Sequence, residues 1–187
     1  MKKERAIMSK FNSKTPRLMK PLLLICVIVS QTLAYADEAN KESTRLNNSG
    51  CKKYNQGQFE LAIEDFTEAI KKIPECNLAY GNRMRAKSRL HDCDGVINDY
   101  EYVRNRPTLL VEISTTIPER AVAECYSKRG LLKEEKENHI EAIACFDEAI
   151  KLSPEAQYYH YRALAKQHAG KTKEANDDFE QEKRVRK

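Results

Sequence analysis

The chain repeats itself, and this limits its fold more than any other feature. Gly50 is followed 12, 16, 19 and 24 residues later by Ala62, Phe66, Ala69 and Pro74, and Gly130 is followed at the same spacings by Ala142, Phe146, Ala149 and Pro154. The wording agrees as well: FELAIEDFTEAIKKIPE begins at Phe59, and HIEAIACFDEAIKLSPE begins 80 residues later at His139. Two weaker copies complete the set. From Met84 the same spacings reach Val96, Tyr100 and Val103, with Pro107 one residue early; from Ala163 they reach Ala175 and Phe179, then fail at Glu182 and Lys187. The start points are separated by 34, 46 and 33 residues, so the period is about 34 with an insertion between the second and third copies. Repeats of this length are stacked supersecondary units, each unable to bury its apolar face alone.

Each copy predicts two helices. Ala62, Ile63, Phe66, Ala69, Ile70 and Ile73 recur three and four apart, which is the stripe of an amphipathic helix. Gly57 and Gly170 mark the turn between helices. Pro74 and Pro154 end the second helix, because proline disfavours helical backbone in the residue before it. A small residue at the crossing lets two backbones approach, and Phe66, Tyr100, Phe146 and Phe179 are expected to fill the space beside it. The fold class is therefore all-α, a solenoid of about four helix hairpins.

The pattern resembles the tetratricopeptide repeat family. AYGNRMRAK and CYSKRGLLK match its first helices, QGQFELAIEDFTEAIKKIP and NHIEAIACFDEAIKLSP its turns and second helices, and YYHYRALAKQHAGKTKEANDDF a complete last copy. The resemblance covers residues 44–182, in repeats of about 43–76, 77–107, 119–155 and 156–187, with the insertion at 107–118, a short linker at 37–43 and a basic tail at 183–187. It implies a right-handed solenoid whose first helices line a groove for a protein or peptide. The residues so placed are Asn47, Tyr54 and Asn55, beside Cys51, in the first copy, and Arg85, Ser88 and Arg89 in the second. They are Glu124, Leu131 and Glu134 in the third, and His160, Leu164, Gln167 and His168 in the fourth. A clamp for a peptide's terminal carboxylate, known in the family, is not expected: Asn82 fits it, but Cys51 and Glu124 stand where it would need Asn and Lys. No conventional capping helix follows the fourth copy, which leaves its outer face available for self-association.

Residues 1–36 lie outside this pattern. Seven Lys or Arg against Glu4 in the first 20 residues, an apolar run from Leu22 to Leu33, and Ala34-Tyr35-Ala36 have the layout of a secretory signal peptide. The expectation is a secreted or periplasmic protein, with an uncleaved membrane anchor as the alternative; the apolar run is short for a span of about 20 residues. The full chain has 33 basic and 28 acidic residues; without the first 36 residues 26 and 27 remain, a net charge of −1. No basic field is left to attract nucleic acid. Five cysteines follow Ala36, an odd number, so at least one is unpaired within a monomer. Cys76 and Cys125 are expected near the same end of their hairpins.

The insertion PTLLVEISTTIP is apolar and β-branched between two prolines, and Thr116 before Pro118 reads as a helix cap with proline in the first turn. It is expected to pack as an inter-repeat loop; the alternative is a partner-binding element. No sequence pattern of a hydrolase elbow, zinc protease, phosphate loop or calcium loop occurs, and no C-x-x-C. His160 and His168 lie eight residues apart on one helix, about 12 Å, too far to share one metal. The sequence thus points to a non-catalytic binding scaffold without cofactor or metal. The alternatives are a membrane-anchored envelope assembly factor and a regulatory module of an enzyme with its site on the insertion.

Overall fold

The computed structural model describes residues 19–106 and 118–187. The described residues form eight helices: α1 (Met19–Asn55), α2 (Phe59–Lys72), α3 (Asn77–Arg89), α4 (Cys93–Arg104), α5 (Glu119–Glu134), α6 (His139–Leu152), α7 (Ala156–His168) and α8 (Thr172–Val185). The chain divides into two compact units, residues 1–42 and 43–187. In the first, Ile25, Ile28, Val29, Leu33 and Tyr35 are all exposed on α1. Among the described residues no helix is long and apolar enough to cross a membrane. Residues 37–43, expected as a linker, are helical. Most of the insertion, including Thr116, lies outside the described residues. Pro118 stands at the cap of α5 rather than inside its first turn.

In the second unit the hairpins stack. Ile73 and Ser153, the residues before Pro74 and Pro154, are extended at φ −133° and −151°, so α2 and α6 stop where the prolines require. Four turns place one residue in the left-handed region, each seven after the start of its copy: Gly57 at φ 77°, His91 at 58°, Glu137 at 57° and Gly170 at 76°. The crossing residues behave as the repeat demands. A Cβ at Gly50 would sit 2.6 Å from the Phe66 ring, and one at Gly130 2.7 Å from the Phe146 ring, both rings being fully buried. Ala86 packs with Ala62 and Phe66, and Ala165 occupies the same place against Ala142 and Phe146. The junction of the second and third copies is filled by Met84, Val96, Tyr100, Val122 and Tyr126.

Polar staples reinforce the stack at fixed repeat positions. In the second copy Arg83 donates to Asp99 through Nε at 2.9 Å and Nη2 at 2.6 Å, and Lys87 joins the same carboxylate at 2.9 Å. In the fourth, Arg162 donates to Asp178 at 2.8 and 2.6 Å, with Lys166 at 2.8 Å. Both arginines also reach back one copy, Arg83 to Thr67 at 3.1 Å and Arg162 to Asp147 at 2.6 Å. At the equivalent positions of the first copy Lys53 pairs with Asp65, at 2.7 Å, and Ser49 stands where the arginine would be. In the third the equivalent acid is Cys145, and the buried Nε of Arg129 has no hydrogen-bond partner among the described residues.

The cysteines are free. Cys76, expected near the same end of its hairpin as Cys125, packs against the cluster of Ala69, Ile70, Ala79, Tyr80 and Val103. Cys93 packs against the cluster that holds Cys125, and burial, with the neighbouring thiol, raises the Cys125 thiol well above the ordinary range. The reason is the stacking of α4 on α5, which brings the start of one helix to the middle of the other. The basic tail is not separate: α8 continues through Val185, with Lys183 bonded to Glu180 at 2.7 Å and Arg186 to Glu182 at 2.6 Å.

Candidate functional site

Successive first helices lie side by side, α3 against α5 and α5 against α7. Their shared face carries two clefts. The first, of about 210 Å³, is lined by Cys51, Tyr54 and Asn55 of α1, Asn82 and Arg85 of α3, and Phe66 at its floor. Asn82 is fixed by donating to Asn47 Oδ1 at 3.0 Å and to Cys51 Sγ at 3.4 Å. Burial raises the Cys51 thiol against the pull of Arg85, so the sulfur stays neutral and apolar. The second cleft, of about 250 Å³, lies between α5 and α7 and is lined by Glu124, Ser127, Lys128, Leu131, Gln157, Tyr158 and Tyr161.

Several expected groove residues are thus brought together: Tyr54, Asn55 and Arg85 in one cleft, Glu124 and Leu131 in the other. Asn47 is nearly buried and acts through Asn82. Arg89 lies over the Phe59 ring, 5.0 Å from its centroid, so its cation is partly occupied inside the fold. Ser88, Leu164 and Gln167 line neither cleft. His160 turns to its own hairpin, with Nδ1 3.0 Å from Glu182 and its ring edge-on to Phe179. Each cleft is also lined from the position two residues before the crossing residue, occupied by Asn82, Lys128 and Tyr161, of which the sequence singles out only Asn82. That position reaches the seam between neighbouring first helices.

Glu134 and His168 also leave the groove. Glu134 Oε1 lies 3.0 Å from His139 Nδ1 and Oε2 lies 2.8 Å from His168 Nδ1. Sequence reasoning paired His168 with His160 along one helix and missed His139, which sits on the neighbouring hairpin.

The family profile described as tetratricopeptide repeat matches residues 123–155. That segment spans α6 and most of α5. A search of curated proteins finds no match. Among solved structures, the MamA RS-1 ArsTM double mutant is 17% identical over 78% of this chain and 75% of its own, with a TM-score of 0.49. A thermophilic tetratricopeptide repeat protein of Thermus thermophilus is 16% identical over 76% and 74%, at 0.41. The first tetratricopeptide repeat domain of Spaghetti (RPAP3), bound to an HSP90 peptide, is 19% identical over 74% and 93%, at 0.38. The repeat architecture rests on the chain's own helices and on the profile match to its third copy.

Proposed function

We propose that all four hairpins are tetratricopeptide-type repeats and that the protein is a non-catalytic scaffold gripping an extended segment of a partner protein along its first helices. The cleft over Phe66 carries this reading. Two successive first helices supply it with an aromatic wall from Tyr54, amides from Asn55 and Asn82, and the exposed guanidinium of Arg85. A mostly apolar recess with a few fixed polar groups is what a peptide side chain needs for orientation. A face already held by buried staples loses little freedom on binding, so modest contacts suffice. Charge distinguishes the two clefts. Arg85 favours an acidic partner residue at the first junction, whereas the second cleft carries one group of each sign, Glu124 and Lys128.

The partner would be met outside the cytoplasm. The basic, apolar and A-x-A order of residues 1–36 supports export, and the unburied Ile25, Ile28, Val29 and Leu33 fit a segment made for another receptor or a lipid surface. Cross-linking in the native compartment, followed by identification of what is captured, tests the scaffold. Arg85→Glu should lose the partner and keep the helical circular dichroism spectrum; capture unaffected by that charge reversal overturns the assignment of the cleft. N-terminal sequencing of the same sample should begin at Asp37, and an intact Met1 overturns cleavage.

A further inference from the structure

We propose that Glu134, His139 and His168 form a binding site for a borderline divalent transition-metal cation of the Zn²⁺ type, stapling the third repeat to the fourth. Three helix ends converge there: Glu134 is the last residue of α5, His139 the first of α6 and His168 the last of α7. One potential ligand atom from each lies within 4.8 Å of the other two. The imidazole rings are 5.3 Å apart, tilted by 54°. Two nitrogens and one carboxylate oxygen, with further positions open to water, is a donor set that suits such a cation. Bonds of about 2.0–2.2 Å place neighbouring ligand atoms roughly 3.4 Å apart, so the widest separation must contract by up to about 1.4 Å. The exposure gradient allows this. The side chain of Glu134 is 16% exposed and that of His139 27%, anchoring one side, while His168 is 56% exposed and free to swing inward. Two of the three helix ends are C-termini, whose dipoles favour a cation.

The repeat supplies an internal control. At the junction of the first and second copies the equivalent positions are Tyr54, Phe59 and Arg89. There the fold is served by an edge contact of 5.3 Å between Tyr54 and Phe59 and by Arg89 stacked on Phe59 at 5.0 Å. The fold therefore has no need of three metal-ligating side chains at this corner, and the third and fourth copies place them there together. The site is separate from the cleft that holds Arg85, so its failure would leave the scaffold reading untouched.

The test is titration of the reduced full-length chain with Zn²⁺ alone by calorimetry, and with Co²⁺ as a spectroscopic probe. One cation should bind per chain, and Co²⁺ should give weak visible ligand-field bands without thiolate charge-transfer absorption. His168→Gln, at a half-exposed position, and His139→Phe, which copies the first repeat, should each keep the fold and weaken binding at least tenfold. The Zn²⁺-induced rise in melting temperature should vanish in both. No stoichiometric binding, equal affinity in wild type and variants, or a thiolate spectrum that survives both substitutions would each overturn the site. The first of these results would leave Glu134 as a hydrogen-bond acceptor between two imidazoles and nothing more.

Discussion

Cys145→Asp should stabilise the protein. In the second and fourth copies an arginine beside the crossing residue donates two hydrogen bonds to a buried aspartate fifteen residues beyond that crossing position, and a lysine joins it. The third copy keeps the arginine and the lysine, Arg129 and Lys133, and has Cys145 where the acid belongs. The consequence is visible: the buried Nε of Arg129 has no partner among the described residues, Arg129 stacks 5.2 Å from the Tyr126 ring, and Lys133 turns outward to Glu141 at 2.5 Å. Cysteine and aspartate are similar in reach, so the new carboxylate would lie where the thiol does. A hydrogen bond to a charged group contributes about 1.5–3 kcal/mol, and two would form. Desolvating the added carboxylate removes much of that gain. A net stabilisation of about 1–2 kcal/mol remains, which for a domain of this size raises the melting temperature by roughly 3–6 °C. The assay is thermal and urea unfolding of wild type, Cys145→Asp, Arg129→Ala and the double variant, with Cys145→Ala as the control for losing the thiol. The gain should appear only where Arg129 is present. A folded Cys145→Asp that is neutral or weaker, or a gain that survives Arg129→Ala, would refute the staple as the source of stability.

Three further outcomes follow from the same geometry. Gly130→Ala drives a methyl group to within 2.7 Å of the buried Phe146 ring. Overpacking should outweigh the better helix propensity of alanine and destabilise by about 1–2 kcal/mol, with Phe146→Leu restoring much of the loss in denaturant melts. His91→Gly and Glu137→Gly, at the two left-handed turns that lack glycine, should each stabilise by about 0.5–1 kcal/mol. Gly57→Ala should lose a similar amount by backbone torsion alone, since a Cβ there touches nothing. Burial pushes the Asp178 carboxyl up, but its bonds to Arg162 and Lys166 outweigh this and hold it below the usual carboxylate range. Its contribution is therefore present above the unfolded value and lost as pH falls through the folded one. Asp178→Asn should cost about 3–5 kcal/mol at neutral pH and less in acid, read from stability curves measured at several pH values.

The stack was legible because its signal is local. A small residue at the crossing, an aromatic sixteen places on and a proline at the end are each fixed by contacts within one hairpin, so spacing alone predicted the packing of Gly50 on Phe66 and the stops at Ile73 and Ser153. The clefts were legible in part for the same reason, since the residue just after the crossing position lines a cleft in the first three copies, as Cys51, Arg85 and Leu131 show. What escaped lies between hairpins. His139 and His168 are 29 residues apart in sequence and meet only because one repeat leans on the next. Cys125 finds Cys93 rather than Cys76 because Cys93 opens α4, which packs on α5, whereas Cys76, at the cap of α3, packs into the cluster of Ala69, Ile70, Ala79, Tyr80 and Val103. A comparison of equivalent positions would have exposed the histidine corner. Phe59 and Arg89 stand in the same relation, and an aromatic ring under a guanidinium is a recognisable contact even when two imidazoles under a carboxylate are not.

Resemblance to the repeat pattern and polar stapling run in opposite directions along this chain. The first and third copies match the pattern well, and both lack the full triad: one pairs Lys53 with Asp65 but has Ser49 for the arginine, the other leaves Arg129 without its acid. The second and fourth depart from the pattern, with Met84 at the crossing in one and Glu182 in place of an alanine in the other, and both carry the complete Arg–Asp–Lys arrangement. Apolar fit and charge pairing act on the same interface, so a copy that packs less regularly is held by directional bonds that tolerate less movement. Arg83 and Arg162 each extend those bonds into the copy before, to Thr67 and Asp147, so the divergent copies also anchor their well-matched neighbours. The profile matches the third repeat, and one of the bonds that tie it to the fourth, from Arg162 to Asp147, starts outside the matched segment.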